Sequence, residues 1–323
     1  MNPVDEMSTA EMTSTAEKPL PLTGQRVLVT GGAGFIGRQV VRTLTASGAS
    51  VVVADALPCA APEDGEALIG DLRDPDFRDA AVSEDLDGIV HLAAATSVLA
   101  SMRDPAGVHE LNVTATAALL ELARLRSVPR FLLASTNAVV GDVGTATISE
   151  DSPLRPLTPY GASKAACEML LSGYAGAYGM ATCALRFTNV YGPGMAHKDS
   201  FVPRLMRAAR DGHTVRIYGD GSQCRDLVHV EDVARGVLTA WTGHARGPLV
   251  IGAGRSVSVL ELVEAARKAT GVDLPVEHVG AQAGEMPAVV VSIARARALG
   301  YEPQLGMEDG LAGVWTDFLG QPG

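Results

Sequence analysis

Five residues near the middle of the chain, Tyr160-Gly-Ala-Ser-Lys164, carry chemistry by type and spacing. On a helix, residues four apart share one face, separated by about 6 Å along the axis. A phenol and an ammonium then lie side by side. Tyrosine titrates near pH 10 (roughly), too high for a base at neutral pH, and a neighbouring positive charge favours the phenolate. The pair could therefore move a proton. By itself the spacing equally describes a solvated helix face. Three upstream stretches change its meaning: a glycine-rich turn at Gly31 to Gly37, an acid at Asp55, and the hydroxyl pair Ser135-Thr136.

Those stretches sit where positioning elements begin and end. Residues 26–30 (Arg-Val-Leu-Val-Thr) have the pattern of a buried parallel strand. Gly32-x-Gly34-x-x-Gly37 follows, then a helix marked by Val40, Val41 and Leu44, then a second strand, Ser50 to Ala54, that ends in Asp55. In that context the glycines fit a dinucleotide fingerprint, with the pyrophosphate at the helix N-terminus. Asp55 would bind both adenine-ribose hydroxyls and repel a 2′-phosphate, so NAD is expected rather than NADP. Arg38 opens the first helix and is either a surface arginine or a phosphate partner. Strands and helices keep alternating: Ala67-Leu-Ile69 into Gly70-Asp-Leu-Arg73, Gly88 to Leu92 into Ala93-Ala-Ala95, a helix over about 110–126, and Arg130 to Ala134 ending at Ser135-Thr136. The expected class is α/β, a doubly wound parallel (Rossmann) sheet with ligands outside the carboxyl ends of its strands. Small hydroxyls at such an end either cap a turn or bind substrate.

The helix bearing Tyr160 should run to about Tyr178, and beyond Arg186 the sheet pattern loosens. Residues 1–22 are expected as a flexible tail, 23–186 with about 223–250 as the dinucleotide-binding domain, and 187–222 with 251–323 as a smaller substrate domain. Pro193 to Pro203 should form a mobile loop.

The 323 residues are 47% apolar, enough for a large core, and carry a net charge of −11. That balance argues against a nucleic-acid surface, which needs clustered Lys and Arg. Substrate anions must then meet individual arginines. Cys59, Cys167, Cys183 and Cys224 have no paired spacing and suggest free thiols of a reducing cytoplasm. No apolar run approaches the roughly 20 residues that span a bilayer, and the acidic N-terminus lacks a secretory pattern. The seven histidines have no metal-binding spacing, so no metal is expected, and His91 and His229 are assigned structural roles. Glu231-Asp232 should start a helix, where acids suit the dipole. Arg225 either pairs with Asp226 or holds a ligand.

Taken in order, Thr30-Gly-Gly-Ala-Gly-Phe-Ile-Gly37, Gly70-Asp-Leu-Arg73, His91-Leu-Ala-Ala94, Pro159-Tyr-Gly-Ala-Ser-Lys164, Arg186-Phe-Thr-Asn-Val-Tyr-Gly-Pro193 and Tyr218-Gly-Asp-Gly-Ser-Gln-Cys-Arg-Asp226 resemble the extended short-chain dehydrogenases/reductases of the nucleotide-sugar epimerase/dehydratase family. The similarity runs from about Gln25 to Leu319. It implies a cofactor site of Gly31, Gly34, Phe35, Ile36, Gly37, Asp55, Asp71, Leu72, Leu92, Ala93 and Ala94, with Asp71 and Leu72 flanking the adenine. Asn112 would be structural. Thr136 would bond the reacting sugar hydroxyl, Tyr160 would be the acid/base, and Lys164 would bind the nicotinamide ribose and lower the tyrosine pKa. Asn189 and Arg225 would hold the substrate diphosphate, with Val202, Ile217 and Tyr218 near its base. Ala165, Met169 and Leu170 would either face a second subunit, as in a homodimer, or pack internally.

The chain departs from the family pattern in places. Val139-Val140-Gly141 replaces Val-Tyr-Gly, and Ala281-Gln-Ala-Gly-Glu-Met286 puts Gln282 or a neighbour where a diphosphate-binding arginine is usual, so either the substrate is bound differently or Arg225, with Arg204, carries that charge. Related 4,6-dehydratases carry Asp-Glu after the threonine. Asn137 and Ala138 stand here, and neither can transfer a proton. The expected activity is therefore NAD-dependent epimerisation of a nucleotide sugar through oxidation at C4. The alternatives are a nucleotide-uronate decarboxylase, a ketosugar reductase and a nucleotide-sensing regulator.

Overall fold

The computed structural model describes residues 20–62, 65–280 and 288–320. Seven strands form one parallel sheet in the order Gly247–Ile251, Ala181–Phe187, Arg130–Thr136, Gly88–His91, Arg26–Thr30, Ser50–Asp55, Glu66–Ile69. The interior strands are apolar on both faces, as helices on both sides require: Val27, Leu28 and Val29 are all fully buried. Chain order reverses between Arg26–Thr30 and Gly88–His91, which leaves a crevice at their carboxyl ends.

The first helix, Phe35–Ala46, packs on Val230–Thr242, and Pro159–Tyr178 lies on the opposite side against the strands Arg130–Thr136 and Ala181–Phe187. Leu22 is fully buried and its N–H bonds the Ser47 carbonyl at 2.9 Å, so the packed structure begins before residue 23.

A second core gathers beside the sheet's carboxyl edge. Helices Phe201–Asp211, Val259–Thr270 and Met307–Leu319 pack around Leu205, Met206, Ala266, Leu311 and Val314. Two small sheets accompany them: Ser256–Ser258 with Cys224–His229 and Asn189–Tyr191, and Val276–Val279 with Val215–Tyr218. The sequence assigned all of 251–323 to this smaller unit. Val289, Val291, Ile293, Ala296 and Tyr301 instead join the core of the large sheet, because Val290–Val291 pairs in parallel with Thr147–Ile148. Among the described residues no helix is long and apolar enough to cross a membrane.

Candidate active site

Thr158 and Pro159 set where the central helix starts. Thr158 Oγ1 accepts from Gly161 N–H at 3.1 Å, and Pro159 occupies the first turn, where its missing N–H costs nothing. Tyr160 therefore lies in the first turn and Lys164 one turn on. Tyr160 N–H also donates to Ser101 Oγ at 3.2 Å, which ties the helix start to the Val98–Arg103 helix.

The partner hydroxyl comes from the sheet. Successive side chains on a strand point to opposite faces, so Ser135 and Thr136 separate. Ser135 Oγ donates to the buried Glu168 carboxylate, which pairs with Arg186 at 2.8 Å. Ser135 is thus structural, and so is Arg186, which also bonds the Ser149 and Glu150 carbonyls. Thr136 turns the other way. Its Oγ1 accepts from Ala138 N–H at 3.2 Å and lies in hydrogen-bonding contact with Tyr160.

The electrostatics differ from expectation. From spacing alone, Lys164 should lower the Tyr160 pKa. Burial instead pushes the phenol up to about 12, offset in part by the Thr136 hydrogen bond. Lys164 is itself buried and brought down to about 8 by desolvation. The low-dielectric site penalises both charged forms.

Below the pair, the Leu92–Ala95 turn is held from two sides. Leu92 N–H donates to the Thr30 carbonyl, and Ala93 N–H to Thr30 Oγ1 at 3.3 Å. Asn112 accepts from Ala95 N–H at 2.8 Å and donates to the Ala95 carbonyl and Ser163 Oγ, both at 3.0 Å. Asn112 sits in a π-helical turn, Glu110–Thr114, which widens the helix at this clamp. His91 bridges Thr30 and Thr116 at 2.6 and 2.8 Å, and burial brings its pKa down to about 3, so it stays neutral. His229 caps Val230–Thr242 through Glu231 N–H. Both histidines are structural.

The residues fit a dinucleotide. Gly31 has φ +72°, and a Cβ there would lie 2.6 Å from Ala93 N; one at Gly37 would lie 2.0 Å from the Gly31 carbonyl oxygen. Only bare backbone allows this turn to close at the start of Phe35–Ala46. Asp55 Oδ2 accepts from Ala33 N–H and Oδ1 from Leu57 N–H, each at 2.9 Å, so the carboxylate is fixed at the second strand's end. Asp71 is held by Arg73, whose hydrogen bonds keep its carboxyl below the usual range.

One cleft of about 1670 Å³ runs from this turn to the small unit. That exceeds the roughly 300–1,000 Å³ of a pocket for one drug-sized ligand and suits two ligands end to end. Gly31, Gly34 to Gly37, Asp55, Asp71, Leu72, Leu92, Ala93, Ala94, Thr136, Tyr160 and Lys164 line one end, and Asn189, Val202, Ile217, Tyr218 and Arg225 the other. Arg225 and Asp226 do not pair. They are neighbours on a strand, and Asp226 is fully buried, accepting from Thr188 Oγ1 at 2.7 Å and Ala253 N–H at 2.9 Å. Arg204 shares its charge with Asp199, at 2.8 Å. The stretch at Ala281 to Met286, with Gln282, lies outside the described residues.

Sequence reasoning missed Ser97, Leu99, Arg103 and Lys198, which also line the cleft. No spacing rule marks them, since they come from segments that only the folded chain brings to the crevice. Ala165 is buried, Leu170 half-buried and Met169 exposed. Among the described residues no cluster of His, Cys, Asp and Glu could hold a metal ion.

Comparison with known proteins adds to this geometry. Residues 27–252 match the model of the NAD dependent epimerase/dehydratase family. A dTDP-glucose 4,6-dehydratase of Streptomyces griseus is 36% identical over 88% of this chain and 92% of its own. The structure of Thermus thermophilus UDP-glucose 4-epimerase, a complex with NAD, superposes with a TM-score of 0.83 at 34% identity, covering 92% of this chain and 99% of that one. MoeE5, solved in complex with UDP-glucuronic acid and NAD, gives 0.83 at 35% identity, covering 91% and 99%. The family model spans more than half of the chain, and the relatives match it along nearly its whole length in sequence and fold, so the protein belongs to the NAD dependent epimerase/dehydratase family.

Proposed function

We propose that the chain is an NAD-dependent nucleotide-sugar 4-epimerase. Gly31, Gly34, Phe35, Ile36 and Gly37 hold the cofactor pyrophosphate, Asp55 the adenine ribose, Asp71 and Leu72 the adenine, and Lys164 the nicotinamide ribose, with Leu92 to Ala94 along its path. NAD bound there would supply the two-electron acceptor for oxidation at sugar C4 and a positive ring that favours the phenolate. Tyr160 Oη takes the C4 hydroxyl proton and returns it. Thr136 orients that hydroxyl. Asn189 and Arg225 hold the substrate diphosphate, and Val202, Ile217 and Tyr218 hold its base.

The observation that carries this reading is the short supply of proton-transfer groups at the reacting end. Among the described residues, the carboxylates lining the cleft are Asp55, Asp71, Asp199 and Asp211. Asp55 and Asp71 stand at the adenine end, Asp199 pairs with Arg204, and Asp211 with Arg210. Asn137 and Ala138 add neither acid nor base. Reversible oxidation at C4 needs only Thr136, Tyr160 and Lys164, whereas elimination of water needs a further acid and base. Exposed Met169 and Tyr178 on Pro159–Tyr178, with Leu125 at the end of the Ala115–Leu125 helix, offer apolar surface to a second copy, in a homodimer. Four free thiols suit a reducing cytoplasm.

MoeE5 takes both a hexose and a uronate by its two complexes, so decarboxylation of a uronate is the reading to exclude. Purified enzyme is incubated with a UDP-hexose and with UDP-glucuronic acid, and followed by NMR. Inversion at C4 is the expected result. CO₂ released from the uronate without inversion of either sugar would replace the epimerase by a decarboxylase.

A further inference from the structure

A knot of positive charge lies beside the glycine turn. The Lys198 ammonium sits 5.0 Å from the centre of the Phe35 ring, and Phe35 is the first residue of the Phe35–Ala46 helix. Arg38 Nη2 reaches the same place from the next turn, 3.1 Å from where a side chain on Gly194 would begin. His197, the residue before Lys198, joins them. Burial, and the charges of Lys198 and Arg38, hold it below its ordinary pKa. Burial also lowers Lys198.

Among the described residues neither Lys198 nor Arg38 forms an ion pair, and Asp317 is engaged by Gly194 N–H. The adjacent Asp199 turns away, to Arg204 at 2.8 Å and Arg207 at 3.5 Å. The segment carrying Lys198 is nonetheless well fixed. Lys198 N–H bonds the Met195 carbonyl at 2.9 Å, Arg207 Nη1 bonds the Ala196 and Lys198 carbonyls at 2.9 and 3.1 Å, and Gly194 N–H bonds Asp317 Oδ2 at 2.9 Å. The sequence suggested a mobile loop here. These bonds make it a braced strap, rooted in the small unit and reaching over the large one. A half-buried ammonium held on an aromatic face, among like charges, is favourable when an anion meets it. Lys198, Phe35 and Gly34 line the same cleft.

We propose that Lys198 is a cofactor-retaining residue: its ammonium, steered by the Phe35 ring, closes from the small unit onto the NAD pyrophosphate at the glycine turn. The dinucleotide is then gripped by helix-end N–H groups on one side and a cation on the other. Such a grip suits a cycle in which the same NAD is reduced and reoxidised without leaving. The inference rests on the reading of the cleft as an NAD and nucleotide-sugar site, and deepens it. The substrate diphosphate is the other anion of the same chemistry within reach of the cleft.

Calorimetry on nucleotide-stripped wild type, Lys198→Met and Lys198→Arg distinguishes the two. Binding of NAD is measured first, then of UDP to the NAD-saturated proteins, with thermal melts to verify folding. Loss of one charge-assisted hydrogen bond should weaken NAD binding about ten- to a hundredfold in Lys198→Met. UDP affinity should hold, Lys198→Arg should recover most of the NAD affinity, and excess NAD should restore turnover in Lys198→Met. Weaker UDP binding with unchanged NAD binding would assign Lys198 to the substrate and overturn the proposal, as would no change in either. Failure of the wild type itself to bind NAD would instead refute the functional reading.

Discussion

Lys164 should cost the ligand-free protein stability, and replacing it should reveal how much. The residue is 3% exposed, and desolvation brings its ammonium from 10.5 to about 8. At roughly 1.4 kcal/mol per pH unit, that fall corresponds to about 3 kcal/mol of strain on the folded state at neutral pH. The sign follows from proton binding. Between about pH 8 and 10.5 the unfolded chain holds the lysine proton more tightly than the native one, so folding there becomes more favourable as pH rises. Above 10.5 both states are neutral and the penalty vanishes; below about 8 it is complete. Lys164→Met keeps the stem and removes the charge. Nucleotide-stripped Lys164→Met should be more stable than wild type by about 3 kcal/mol at roughly pH 7, and the advantage should shrink towards zero near pH 10.5. Paired urea titrations at about pH 7 and 10.5 measure it, and differences in packing cancel in the change with pH. An equal difference at both pH values, or a wild type more stable at neutral pH, would refute the reasoning. The same variant should lose turnover, so the buried charge is retained for function at the expense of the fold.

Other expectations follow from the same geometry. Tyr160→Phe should abolish turnover while NAD binding and the melting temperature stay near wild type; residual turnover above about one per cent would point to another base. Arg225→Ala should raise KM about ten- to a hundredfold with NAD affinity unchanged, and an unchanged KM with lower stability would make Arg225 a structural residue. Because Asp55 stands at the ribose end, NAD should bind far more tightly than NADP in a fluorescence titration, and equal binding would implicate Arg38 as a phosphate partner. Arg186→Met should leave Glu168 buried without its cation and destabilise the fold by about 3–5 kcal/mol in denaturant titrations, whereas a loss under about 1 kcal/mol would show that Ser135 alone suffices to hold the carboxylate.

The parts of this protein that depend on local physics were legible in its sequence. A strand, a glycine turn and a helix are written in consecutive residues, because backbone closeness at Gly31 and Gly37 excludes side chains whatever surrounds them. The four-residue spacing of Tyr160 and Lys164 likewise places them one turn apart on any helix that contains both, as Pro159–Tyr178 does. What needed the folded chain were facts of burial and facing. Ser135 and Thr136 are the same kind of residue in sequence, yet strand alternation sends one to Glu168 and the other to Tyr160. Arg186 opens a stretch whose resemblance to the family suggested a role at the site, and it proves to be half of an internal ion pair. Spacing predicted a tyrosine pKa lowered by lysine; the enclosure of both groups reversed the direction, because desolvation depends on every neighbour and not on the residue four places away. Lys198 is remote in sequence from the glycine turn, and only the packing of the small unit against the large one brings its charge over Phe35.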